Sequence, residues 1–105
     1  MENKDKLITL VESDPDLYKI INSKAHIKVL EAIATESLNF YDLSRKTDFK
    51  KVSILYNILD NLLDKKYIRK LEINKNQVYY ITNEGKNIYN LVKNAQKDFN
   101  LQGWG

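Results

Sequence analysis

Between positions 52 and 64 the chain repeats apolar residues at helical spacing. At roughly 100° per residue, Val52, Leu55, Leu59, Leu62 and Leu63 fall within about one third of the circumference. Ser53, Asn57, Asp60, Asn61 and Asp64 share the opposite face, with Ile54 beside them. One face should pack and the other meet solvent. A second stripe, Ile88, Leu91, Val92, Ala95 and Phe99, follows i, i+3, i+4, i+7 and i+11 behind Asn83, a candidate cap. It predicts a last helix of about 24 Å at the usual rise.

Between these helices the period drops from 3.6 to 2. Ile68, Leu71 and Ile73 lead into Asn74-Lys75-Asn76-Gln77, and Val78-Tyr79-Tyr80-Ile81 follow. Two β-favouring runs around an Asn-rich four-residue loop predict a hairpin with Lys75 at its tip, because Asn tolerates positive φ. Upstream, Leu7, Ile8, Leu10 and Val11 form one apolar helical face, interrupted at Ser13-Asp14-Pro15-Asp16. Asp14 as N-cap with Pro15 at the first helical position starts another helix through Leu17, Tyr18, Ile20 and Ile21. Ser23 then caps a helix over 24–34 with Ile27, Val29, Leu30 and Ile33 inward. Leu38-Asn39-Phe40 reads as a short isolated strand, and 41–47 as two helical turns with Leu43 in the core and Asn39 as cap.

The order is that of a mainly α chain with one small antiparallel β-hairpin. Its 105 residues, 43% of them apolar, suit a single core. The parts are an N-terminal helical arm (1–22), a core (23–83), a C-terminal helix (84–100) and a frayed tail (101–105). There are no cysteines, which excludes thiolate metal sites, disulfides and cysteine nucleophiles. His26 stands alone, and Glu31, five residues on, lies on another face, so no metal site is expected. The three glycines, Gly85, Gly103 and Gly105, make no phosphate loop, and the acids are scattered among lysines. Neither an enzyme nor a cofactor is expected. No run approaches the roughly 18 apolar residues of a membrane helix, and the first residues are too mixed in charge for a signal peptide. The expectation is a cytoplasmic protein without membrane contact.

The net charge of +3 argues little, but its distribution does. From Arg45 to Lys75 nine basic residues stand against four acids, whereas the rest of the chain is slightly acidic. A solvated surface can produce such a bias, and for each lysine alone that reading stays open. The set points elsewhere. A short helix, a tight turn, a longer helix and a basic hairpin can lay the second helix in a major groove about 12 Å wide. The residues at that place are Lys50, Lys51, Ser53, Ile54, Tyr56 and Asn57. Lysine reaches phosphate or guanine, Asn bonds adenine through two contacts, Ser bonds either phosphate or base, and Ile touches thymine methyls. Asp60 and Asp64 would repel the DNA backbone, which confines contact to the first two turns. Arg69, Lys70 and Lys75 could reach the flanking backbone or the minor groove.

The segments INSKAHIKVLEAIA (21–34), NFYDLSRKTDF (39–49), VSILYNILDNLLDKKYI (52–68) and VYYITNEGKNIYNL (78–91) resemble winged helix-turn-helix transcription regulators of the broad ArsR-like type, bacterial or archaeal. The resemblance covers about two thirds of the chain and is specific to the fold. It implies a winged helix-turn-helix with extra N- and C-terminal helices. The base-reading helix falls at 51–64, the wing at 68–81, and the groove-facing positions at Ser53, Ile54, Tyr56 and Asn57. It further implies a dimeric, sequence-specific binder of double-stranded DNA that pairs through the arm and the last helix. The runner-up is a winged-helix module that docks a protein in a transcription or replication assembly. Three departures matter. Lys66 stands where the family has a glycine after the reading helix, so a left-handed cap there would be strained or the helix must end differently. The hairpin is short, and sensing of metals through cysteines is ruled out.

Overall fold

The computed structural model describes residues 3–98; the expectations for Phe99 and for the tail at 101–105 lie outside them. Along the chain run α1 (Asn3–Ser13), α2 (Pro15–Ile21), α3 (Lys24–Ala32), β1 (Leu38–Asn39), α4 (Phe40–Thr47), α5 (Val52–Asp64), β2 (Ile68–Ile73), β3 (Asn76–Ile81) and α6 (Asn83–Asp98). This is a winged helix-turn-helix, with α4 and α5 as the helix pair, the β2–β3 hairpin as the wing, and α1, α2 and α6 as additions.

The core forms where the apolar faces meet. Val29 and Leu30 of α3, Leu43 of α4, Leu55, Leu59 and Leu62 of α5, Ile68 of β2 and Val92 of α6 are all almost fully buried. Each contributes about 1.5–3 kcal/mol by leaving water. Asn39 caps α4 by accepting from the Asp42 amide at 2.8 Å, and Ser23 caps α3 by accepting from the His26 amide at 3.2 Å. Both caps are as expected. Asp48 ends α4 in the left-handed region (φ 53°), and residues 48–51 turn the chain into α5 with half-buried Phe49 packed on the core.

The structure corrects several expectations. Val52 is not a core residue: it is 52% exposed, while Ile58 is 4% exposed and completes the packed face. At the first position of α5 no wall reaches Val52, and the buried face is centred on Leu55, Ile58, Leu59 and Leu62. Strand β1 is not isolated. It pairs antiparallel with β3 (Leu38 opposite Tyr79, Asn39 opposite Val78), giving a three-stranded sheet in the order β1-β3-β2. The wing turn is shorter than four residues. Ile73 already faces Asn76, so only Asn74 (φ 51°) and Lys75 (φ 68°) lie between the strands, the two successive positive φ values of a tight hairpin turn. Asp14 precedes α2 but makes no side-chain cap, because its carboxylate is taken by the Lys65 ammonium at 2.5 Å.

Two junctions replace expected devices. Helix α5 ends with the Tyr67 amide on the Leu62 carbonyl and the Lys66 amide on the Leu63 carbonyl, both at 3.0 Å. That is a Schellman cap with Lys66 in the left-handed position (φ 63°), made without glycine. The cap of α6 is Thr82, one residue before the expected Asn83. Its hydroxyl oxygen accepts from the Gly85 amide at 3.0 Å, its O–H donates to the Lys66 carbonyl at 2.8 Å, and its amide donates to the Tyr67 carbonyl at 3.0 Å. A Cβ on Gly85 would lie 2.0 Å from that same Tyr67 oxygen. The Thr-x-x-Gly spacing thus seats the start of the last helix on the exit of α5.

Helix α1 packs along α6 within the chain, with Leu10 and Val11 half-buried against the core. Ile8 stays 49% exposed and Leu91 is half-buried.

Candidate nucleic-acid interface

The start of α5 is left open. Lys51 occupies the N-cap position in extended conformation and makes no side-chain hydrogen bond to the helix. The Ile54 amide donates to the Lys51 carbonyl at 3.1 Å, whereas the Val52 and Ser53 amides have no carbonyl one turn earlier and stay available to an anion. Lys50, Lys51, Ser53, Ile54, Tyr56 and Asn57 are all exposed there, which brings six of the nine sequence-derived site residues onto one surface. Asp60 and Asp64 are exposed on the later turns.

Tyr56 has a second attachment. Its ring stacks on Phe40 of α4 with centroids 4.3 Å apart and planes at 18°, so its orientation is fixed although 51% of it is exposed. Two exposed residues that the periodicity does not mark as site positions are Val52 and Tyr41. Val52 lies beside Ser53, and on α4 Tyr41 is 67% exposed with the Arg45 guanidinium 5.7 Å from its ring centre. The i, i+4 spacing of Tyr41 and Arg45 was the available signal. Lys46, the second residue of the basic third, is paired with Glu36 at 2.5 Å.

The wing residues divide. Lys75 sits at the tip, in the turn. Arg69 and Lys70 are successive strand residues and leave opposite faces of the hairpin. Lys70 lies on the core side, its ammonium 6.0 Å from the ring centre of Tyr79, its partner across the strands. Burial raises the Tyr79 hydroxyl above the ordinary tyrosine range, and Tyr56 and Asp60 of α5 push it the same way. Lys70 therefore shares the α5 side of the wing. Arg69, opposite Tyr80, faces away from it. Lys65 does not serve the wing: it holds Asp14, and the hydrogen bond between them lowers the carboxyl's pKa and raises the ammonium's.

His26 links α3 to α5. Nδ1 lies 2.8 Å from the Ser23 hydroxyl oxygen, and Nε2 lies 3.1 Å from the Asn61 amide nitrogen. Burial lowers its pKa. A neutral ring that donates from Nδ1 and accepts at Nε2 satisfies both contacts. Among the described residues no group of three or more His, Cys, Asp or Glu could hold a metal ion, and no helix is long and apolar enough to cross a membrane.

No family model matches the sequence, and no curated protein matches it. Solved structures do. The chain is similar to the homodimeric winged helix-turn-helix DNA-binding domain of a possible ArsR-family transcriptional regulator from Mycobacterium bovis (TM-score 0.70, 14% identity, 90% of this chain and 88% of that one). It is similar to a mutant MarR from E. coli complexed with operator DNA (TM-score 0.67, 19% identity, 94% and 78% covered). It is also similar to the YusO protein of Bacillus subtilis (TM-score 0.71, 18% identity, 95% and 74% covered). At these identities the likeness establishes the winged helix-turn-helix fold.

Proposed function

We propose that the chain is a dimeric, sequence-specific binder of double-stranded DNA, a cytoplasmic transcriptional regulator without enzymatic activity. Helix α5 enters the major groove by its first two turns. Lys50 and Lys51 meet phosphates beside the open helix end, and Ser53, Ile54, Tyr56 and Asn57 meet base edges. Lys70 and Lys75 of the wing take the flanking backbone, with Arg69 placed for a more distant strand. The single observation that carries this reading is the uncapped start of α5, where free amides, two lysines and exposed reading positions coincide. Within α5 the acids begin at Asp60, where a bound duplex would curve away. A second copy would cover the residual apolar surface of α1 and α6, including Ile8 and Leu91.

The test is duplex binding by the full chain across a salt series. Affinity falls steeply with salt, Asn57→Ala relaxes sequence preference, and Lys75→Ala weakens all sequences alike. Absent or salt-insensitive binding sinks the reading. A second reading, docking of a protein, is favoured by the outer wing face, where Leu71 and Ile73 are 50% and 48% exposed. Capture of a stoichiometric partner that Leu71→Asp abolishes, in a chain inert to DNA, would establish it instead.

A further inference from the structure

The reading surface has a composition that the sequence pattern concealed. With Val52 outside the core, the first two turns of α5 expose two aliphatic side chains, Val52 at 52% and Ile54 at 37%. They flank Ser53 by about 100° on either side, and Asn57 lies about 40° from Ser53 one turn on. The exposed strip is thus apolar, polar, apolar. Among residues 52–57 there is no arginine to fork onto guanine and no carboxylate to accept from the cytosine amino group. The one side chain there that can make two contacts with a base is Asn57, and its match is adenine. Lys50 and Lys51 precede the helix, beside its free amides, which is a place for phosphate.

Resting on the duplex-binding reading above, we propose that the base pairs under α5 are A·T, with Val52 and Ile54 packed on thymine C5 methyl groups and Asn57 bonded to adenine. An exposed valine and isoleucine gain from water-free contact only where the groove offers carbon, and the thymine methyl is the carbon a major groove presents. The occupant is set as DNA by the charge around the strip. Lys50 and Lys51 adjoin it and Lys70 lies on the α5 side of the wing, while the acids of α5 itself begin at Asp60. Over 45–75 nine basic residues outnumber four acids, exposed Asp48 and Glu72 among them.

The experiment uses the full chain. Selection from a random duplex library yields A·T-rich half-sites. In the best duplex, thymines are then replaced one at a time by uracil, which removes only the C5 methyl. At the thymines under α5 each replacement weakens binding about threefold to fourfold, the worth of one buried methyl. In Val52→Ala or Ile54→Ala, both at exposed positions, one of these uracil effects disappears while the melting temperature holds. A G·C-rich half-site, uracil duplexes that bind as tightly as thymine duplexes, or variants that weaken both duplexes equally overturn the inference while leaving DNA binding intact. A chain that binds no duplex at low salt overturns the reading beneath it as well.

Discussion

Helix α5 has two ends built on opposite plans. At its exit the backbone groups are engaged: the Schellman bonds close the helix, Thr82 takes the Lys66 carbonyl, and Gly85 lets α6 approach the Tyr67 carbonyl. At its start nothing caps the helix, two lysines stand free of carboxylates, and Val52 and Ile54 meet water. Local stability is served at the exit and given up at the start. Amides without carbonyl partners and exposed aliphatics at one end of an otherwise well-packed helix are a local cost that its other end does not carry.

Breaking the closed end should cost most. Gly85→Ala forces a Cβ onto backbone rather than onto a flexible side chain, and the expected loss is about 3 kcal/mol or more. The melting temperature should fall by more than about 12 °C, measured by circular dichroism. A fall of only a degree or two would show that the α6 approach is looser than described. Thr82→Ala removes the helix cap and the bond to Lys66 together, for a loss of about 1–2 kcal/mol in urea titrations. Lys66→Gly works the other way, relieving a left-handed lysine and stabilising the fold by up to about 1 kcal/mol.

The open end is sharpened by closing it. Lys51→Ser supplies the missing N-cap and should stabilise the chain by about 0.5–1 kcal/mol, while weakening duplex binding and lowering the salt slope by about one unit. Equal duplex affinity in that variant would show that the free amides and the lysine are idle. The smallest effect belongs to His26. Its folded pKa is lowered, so the unfolded chain takes up the proton first as pH falls through 6.5, and stability declines in that window toward the folded pKa. Above it both states are neutral and the dependence vanishes. His26→Gln should flatten the pH profile of unfolding near 6.

Much of this was legible in the residues. The α5 stripe, the hairpin, the Ser23 and Asn39 caps and the helix-turn-helix order follow from periodicity and turn chemistry. The misses have physical causes. Val52 and Ile58 sit on opposite flanks of the apolar stripe, and only the position of the neighbouring elements decides which flank is covered. Thr82 and Asn83 are both good caps one residue apart, and the choice fell to the Lys66 and Tyr67 carbonyls, which sequence cannot place. Asp14 lost its capping role to Lys65, 51 residues away. At the candidate interface the exposure of Lys50, Lys51, Ser53, Ile54 and Asn57 was legible from amphipathicity, whereas that of Val52 was not. The Phe40 stack that orients Tyr56 and the split of Arg69 from Lys70 required the sheet register.

The joint around Tyr67 has a mechanical consequence. Both strands of the wing are clamped at one root, Ile68 against Ile81, directly beside the carbonyl that receives Thr82. The hairpin is therefore a cantilever, stiff at the base and deflecting only over its outer half. From a six-residue strand its free arm measures about 20 Å at most. Lys75 sweeps a short arc about that root, so the sideways reach of the protein is set by the joint and not by the flexibility of the loop.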